Sequence, residues 1–244
     1  MDSFTRKAVN SFSRKAMNGC EWWSDMKKNE LVWRELVDAA IVQRERRWNN
    51  VDDVAFRAGV APATAAYALR RVIEIGAIQQ HHAGFTVVNP AKVLTLLCAA
   101  RSILSDTLAI VTMHDHDIEH LRDRWGAGLI AGGAAAAVEL LGGVNTVSDY
   151  SERIFYLRDG EAIRTLTELV DQRKEAQHSG FGRDRGNVTL LLADPRAARN
   201  WRRHTSFAQT YADLFATPGW QASEFRLALD EKYLSGRDWD QDSA

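Results

Sequence analysis

The sequence predicts an α+β protein in two parts: a small helical unit closed by a β-hairpin, then a larger mixed α/β unit. Three observations carry this. Between Lys27 and Ile75 the apolar residues recur every three or four positions, and a short alternating run, "AIQQHHAGFTVV", follows. Gly59, Pro62 and Gly76 punctuate the helical region where turns and caps belong. Beyond residue 111, compact apolar runs alternate with helical stretches.

The chain has 244 residues, 45% of them hydrophobic, enough for a packed core and one or two domains. Its net charge of −1 is unevenly spread. Residues 1–90 hold 13 Lys/Arg against 10 Asp/Glu, and residues 91–244 hold 18 against 22. The basic excess lies in the first part. Cys20 and Cys98 make neither a metal cluster nor a disulfide framework. "GAGLIAGGAAAAVELLGG" (Gly126–Gly143) is the sole candidate membrane stretch, and it is Ala/Gly-rich with Glu139 inside it. It reads as a close-packed helix rather than a span. The N-terminus has no apolar run of signal-peptide length, so a cytoplasmic protein is expected.

Residues 1–26 are a basic N-terminal arm containing a tandem repeat, "SFTRKAVN" then "SFSRKAMN". It reads as an arm along DNA phosphates, as a duplicated frayed end, or as an extension upstream of a natural start at Met17. The non-functional readings are preferred. Helices are expected over Lys27–Arg47, Val51–Ala58 and Pro62–Ile75, the last with Pro in its first turn and Gly76 after its end. Two strands joined near His82, Ala83 and Gly84 complete residues 27–90. Helix, helix, helix, hairpin is the order of a winged helix-turn-helix. A linking helix is expected within 91–110 (Val93–Leu104), then a mixed α/β region over 111–234 and a disordered tail over 235–244. In that second region Ala127–Leu141 and Ala162–Ala176 read as helices, and Arg153–Leu157 and Asn187–Ala193 as strands. "GFGRDRG" reads as a loop, and Pro218–Leu234 as a closing helix with Phe225, Leu229 and Tyr233 buried and Trp220 nearby.

A helix-turn-helix needs a tight bend and small residues where its helices touch. Gly59 takes the bend, Ala55 is the small contact, Val60 plugs the crossing, and Ala65 and Leu69 face inward. Ala61 replaces the usual Ser or Thr cap. Ala63, Thr64, Ala66, Tyr67, Arg70 and Arg71 then lie on or near the outer face. Small side chains at 63 and 66 admit close approach to base edges, and Tyr67 and Arg70 offer hydrogen bonds. His81 and His82 at the hairpin tip are candidate phosphate or minor-groove contacts. The duplex-DNA site is therefore Ala63, Thr64, Tyr67, Arg70, Arg71, His81 and His82, against the alternative of a helical hairpin used only for packing or protein contact.

Other motifs carry less. "HDHDIEH" sets His116 and His120 four apart, the spacing of a metal pair, but reads better as a solvated acidic helix start. "GAGLIA" matches a dinucleotide fingerprint in letters only, because no strand precedes it. "AGGAAAAVELLGGVNTVSDYSERIFYL" loosely resembles the opening of a minimal nucleotidyltransferase. The Asp-x-Asp and Gly-Ser of those enzymes are missing, and only Asp149 and Glu152 stand near. A degenerate scaffold is expected, with no catalytic residue, metal or cofactor.

Together, the winged helix, linking helix, second unit and closing "QTYADLFATPGWQASEFRLAL", with an Asp-Leu turn before the final helix, resemble the AbiEi-type family over residues 27–234. These are antitoxin-repressors of type IV toxin–antitoxin systems. The resemblance implies transcription regulation by operator binding and a cognate toxin of nucleotidyltransferase type. It maps Thr64, Tyr67, Arg70 and Arg71 to the recognition helix. The repeat and "HDHDIEH" have no counterpart in it. A homodimer is a further expected partner. The alternatives are an antitoxin acting through protein contact alone and a nucleotidyltransferase-type enzyme.

Overall fold

The computed structural model describes residues 28–113, 118–119, 122–123, 126–145, 147, 153–158 and 187–235. The N-terminal arm, the histidines and aspartates of "HDHDIEH", Asp149, Glu152, the helix expected over 162–176, "GFGRDRG" and all of the tail but Ser235 lie outside the described residues. The protein is of mixed α and β structure.

Helix α1 (Lys28–Val37) buries Leu31, Val32, Trp33, Leu36 and Val37, and one π turn (Asp38–Val42) extends it. The expected helix to Arg47 ends here. Arg44 adopts φ +61 and the Glu45 N–H bonds the Ala39 carbonyl at 2.9 Å, a closing turn that glycine usually takes. The freed chain becomes β1 (Arg47–Trp48). Asn50 caps α2 (Val51–Ala58) by accepting from the Asp53 N–H at 2.8 Å. Gly59 closes α2 at φ +67, and α3 (Pro62–Glu74) follows with no side-chain cap on Ala61. Ala65, Ala68, Leu69 and Val72 turn α3 inward, and the Trp33 indole donates to the Ala68 carbonyl at 3.1 Å. Strands β2 (Ile78–His81) and β3 (Gly84–Val87) form the hairpin, and β1 adds to it in the antiparallel order β1-β3-β2. Gly84 is obligatory, because a β carbon there would sit 2.0 Å from the Trp48 carbonyl oxygen.

The helix expected to link the two parts over 91–110 is α4 (Pro90–Ala100), and it is no mere linker. Val93, Leu94, Leu97 and Cys98 are buried in one core with α1 and with Phe207, Phe225 and Leu229 from the far end of the chain. The chain turns extended at Arg101, whose guanidinium is drawn inside. A short α5 (Ile103–Asp106) and strand β4 (Thr107–Val111) occupy the rest.

The second unit is built on a four-stranded sheet of order β4-β7-β6-β5. Strands β6 (Arg153–Leu157) and β7 (Val188–Leu192) are parallel, and the outer pairings are antiparallel. Strands β6 and β7 read as near-continuous apolar runs because both faces are covered, whereas β4 is only partly covered. Leu129, Phe155, Leu157 and Leu190 pack on one side, and Ile130, Tyr156, Leu191 and Trp201 on the other. The helix expected over Ala127–Leu141 is half strand: β5 (Leu129–Gly132) pairs with β6 before α6 (Gly133–Leu140) begins. Tertiary pairing overrides the helix preference of the Ala-rich run. A β carbon at Gly132 would meet the Tyr156 ring at 2.8 Å, so this glycine is a packing requirement. Ala136 and Ala137 are fully buried, so the small-residue face of α6 is spent inside the molecule. The Asp213-Leu214 pair expected to turn lies within helix α7 (Phe207–Ala216). The closing α8 (Trp220–Tyr233) buries Phe225 and Leu229, leaves Tyr233 half-buried and exposes Trp220. No helix among the described residues is long and apolar enough to cross a membrane.

Candidate nucleic-acid interface

Ala-rich spacing makes α3 a helix with one buried and one open side. The open side carries Ala63, Ala66, Tyr67, Arg70 and Arg71, with Thr64 half-buried at the margin. Tyr67 is 62% exposed, high for an aromatic side chain, and the Arg70 guanidinium lies 6.0 Å from its ring centre. Arg71 pairs with Glu74 one turn on, at 3.1 Å, an exposed contact that a stronger anion displaces easily. The helix is aimed by Gly59, whose N–H bonds the carbonyls of Ala55 and Phe56 in a left-handed turn.

The hairpin stands beside α3. Ala66, Leu69, Arg70 and Ile73 of the helix face Ile78, Gln80 and Phe85 of the hairpin, with Val51, across a cavity of about 340 Å³. His81 ends β2 exposed, its Nε2 3.1 Å from the Thr86 hydroxyl, and His82 is exposed in the turn. The predicted residues therefore fall into two groups: five on the helix, with Thr64 at the margin of its open face, and two histidines at the hairpin tip. The hairpin also rests on a cluster that sequence reasoning did not foresee. Arg57 bonds Glu35 and Glu45 at 2.6 Å each and Gln43 at 2.9 Å, and lies over the Trp48 ring at 4.5 Å. That arginine holds β1 in place and is not available to a ligand.

Two residues near the site were missed. Gln80 shares the cavity with Arg70. Arg199 comes from the second unit, and its guanidinium would lie 2.6 Å from a β carbon on Gly59. Its signal was the Arg-dense "PRAARNWRRH", which a charge count over residues 91–244 averages away.

The other polar concentration is buried. Arg101 donates to Asp213 at 2.8 Å, to Asp106, and to the Tyr156 hydroxyl at 2.9 Å. Tyr156 and Gln209 each donate to Asp213 at 2.7 Å. Burial pushes the Tyr156 phenol well above its ordinary range. The side chains of Arg101 and Asp213 are 1% and 0% exposed, so no substrate reaches them; the cluster is structural. At "GAGLIA" a turn (Gly126–Gly128) precedes strand β5, the reverse of the strand-then-loop order of a dinucleotide site. Among the described residues no three His, Cys, Asp or Glu side chains cluster as metal ligands.

No family model, curated protein or solved structure matches this chain. The functional reading rests on the surface itself.

Proposed function

We propose that residues 28–90 are a winged helix-turn-helix that binds duplex DNA through α3, and that the protein is a cytoplasmic transcriptional regulator, a repressor. One observation carries this: a left-handed glycine turn aims a helix whose open face is Ala63, Ala66, Tyr67 and Arg70, with a hairpin alongside. Small side chains let the helix backbone approach a major groove, and an Arg-Tyr pair reads edges or phosphates from it. The AbiEi-type resemblance adds an antitoxin role and a cognate toxin to this reading.

The second unit is read as a degenerate nucleotidyltransferase scaffold without transfer activity. The order β5, Gly132-Gly133, α6, then β6 supports that scaffold. The use of Gly132 for packing against Tyr156 supports its being spent on structure. A second reading, protein contact, is favoured by a specific feature. Strand β4 is an edge of the described sheet, with Ile110 57% exposed, and Leu104 just before it is 82% exposed. Unpaired edges with exposed apolar side chains suit a second protein chain, either a toxin or another copy.

The test is recovery of bound genomic DNA, then titration of the recovered site. Arg70→Ala should weaken specific binding by about 1–3 kcal/mol, roughly 5- to 150-fold, if it reads a base edge. A folded Tyr67→Ala/Arg70→Ala variant that binds like the wild type refutes the assignment.

A further inference from the structure

The second unit places its own cations against the turn that aims α3. Residues 196–203 contain four arginines, and no acidic residue occurs between Asp194 and Asp213. The loop is rigidly held. Asp194 accepts from the Arg196 backbone N–H at 2.9 Å and from its guanidinium at 3.1 and 2.7 Å. Arg158 donates to the carbonyls of Ala198 and Trp201, each at 2.6 Å. Trp201 is buried edge-on to Tyr156, and the loop runs along β5, with the Ala131 N–H on the Arg203 carbonyl at 2.9 Å. Asp194 thus occupies Arg196, while Arg199, Arg202 and Arg203 are exposed.

We propose that Arg199, Arg202 and Arg203 form a phosphate-binding extension of the DNA surface, contributed by the second unit. This rests on the DNA-binding reading of α3. Arg199 touches the Gly59 turn, and the start of a recognition helix enters the groove between two phosphate backbones. Arg203 follows within about 14 Å of chain, a length over which duplex DNA carries about eight phosphates. A fixed backbone holds these arginines apart from any carboxylate in their own loop, so a polyanion has only their side chains to order and not the loop itself. The acidic balance of residues 91–244 does not oppose this, because screening confines each contact to about 10 Å.

The experiment is titration of a labelled random-sequence 30-base-pair duplex with the full chain at 50–200 mM salt. Wild type, Arg202→Ala/Arg203→Ala, the triple alanine variant and the triple lysine variant are compared, with thermal unfolding as the fold control. Each lost contact should flatten the slope of log K against log salt by about 0.9, so the triple alanine slope falls by about 2.7. Across that fourfold salt range the wild type then loses about 40-fold more affinity than the triple alanine variant, and lysine restores the slope. The double variant keeps the test valid if Arg199 proves necessary for folding. An unchanged slope in the double and triple alanine variants, with the wild type binding, overturns this proposal alone and leaves the arginines to an acidic protein partner. No duplex binding by the wild type overturns the parent reading and this one with it.

Discussion

Asp213→Ala should strongly destabilise the fold through the buried cluster. The aspartate accepts from Arg101, Tyr156 and Gln209. Removing it leaves a guanidinium 1% exposed with Asp106 as its remaining carboxylate, and leaves the Tyr156 hydroxyl without its acceptor. Breaking one partner of a buried pair costs about 3–5 kcal/mol. Asp106 still neutralises the guanidinium here, so the cost comes from the Arg101 Nε–H and the Tyr156 O–H, both buried and left without their acceptor. A chain of this length shifts its melting temperature by about 2–4 °C per kcal/mol, so the loss is about 6–20 °C. Differential scanning calorimetry and urea unfolding measure it. The pairing also predicts non-additivity: Arg101→Met/Asp213→Ala should cost about 2–3 kcal/mol less than the two single losses together. A single-variant loss below about 1 kcal/mol, or strictly additive losses, would refute the view that this pair joins α4 to α7 and the sheet.

Other outcomes follow from the same geometry. Burial raises the Asp38 carboxyl to about 6, against the hydrogen bonds from Ser206 and Ala208 that lower it. Because the folded pKa lies above the unfolded one, Asp38 supports the fold below about pH 4 and loses that support as pH rises through 6, a swing of about 3 kcal/mol. Urea unfolding from pH 4 to 7 should show Asp38→Asn gaining on the wild type as pH rises; parallel curves refute it. Gly84→Ala should cost about 2–4 kcal/mol, since φ is +118 and its β carbon strikes the Trp48 carbonyl. Gly142→Ala, at φ +83 with nothing within 4 Å, should cost about 1 kcal/mol, and equal losses would refute the steric reading. Ile110→Lys should abolish self-association of the full chain in sedimentation if the β4 edge is the contact, and persistence of the oligomer would remove β4 from it.

Legibility in the sequence tracked how local each determinant was. The bend at Gly59, the helix after Pro62 and the strands at 78–87, 153–157 and 188–192 were readable because turn chemistry and apolar spacing act within a few residues. Where a partner distant in sequence decides, the reading failed. "LIAG" becomes a strand because Arg153–Leu157 lies on one side of it and the 203–205 segment on the other, and the first helix with its π turn stops at Val42 because Arg44 accepts a left-handed turn no composition announces. The candidate face on α3 follows from helix period alone, so its residues could be named. Arg199 could not be, since 140 residues separate it from the Gly59 turn it touches.

The shared core changes how the two parts must be handled. A division near residue 90 suggests that a fragment such as 93–244 would report on the second unit alone. That cut would strip α4 of α1, against which it packs, and would expose Leu94 and Leu97 along with the faces of Phe207 and Phe225. Asp38 of the first part also accepts the Ala208 N–H at 2.8 Å, at the start of α7, and would be lost with it. An apolar surface opened in this way associates without specificity, so aggregation of the fragment would mimic a dimer contact. Surface substitutions in the full chain separate the functions cleanly, because Arg70, Arg202 and Ile110 are all exposed and none belongs to the joint core.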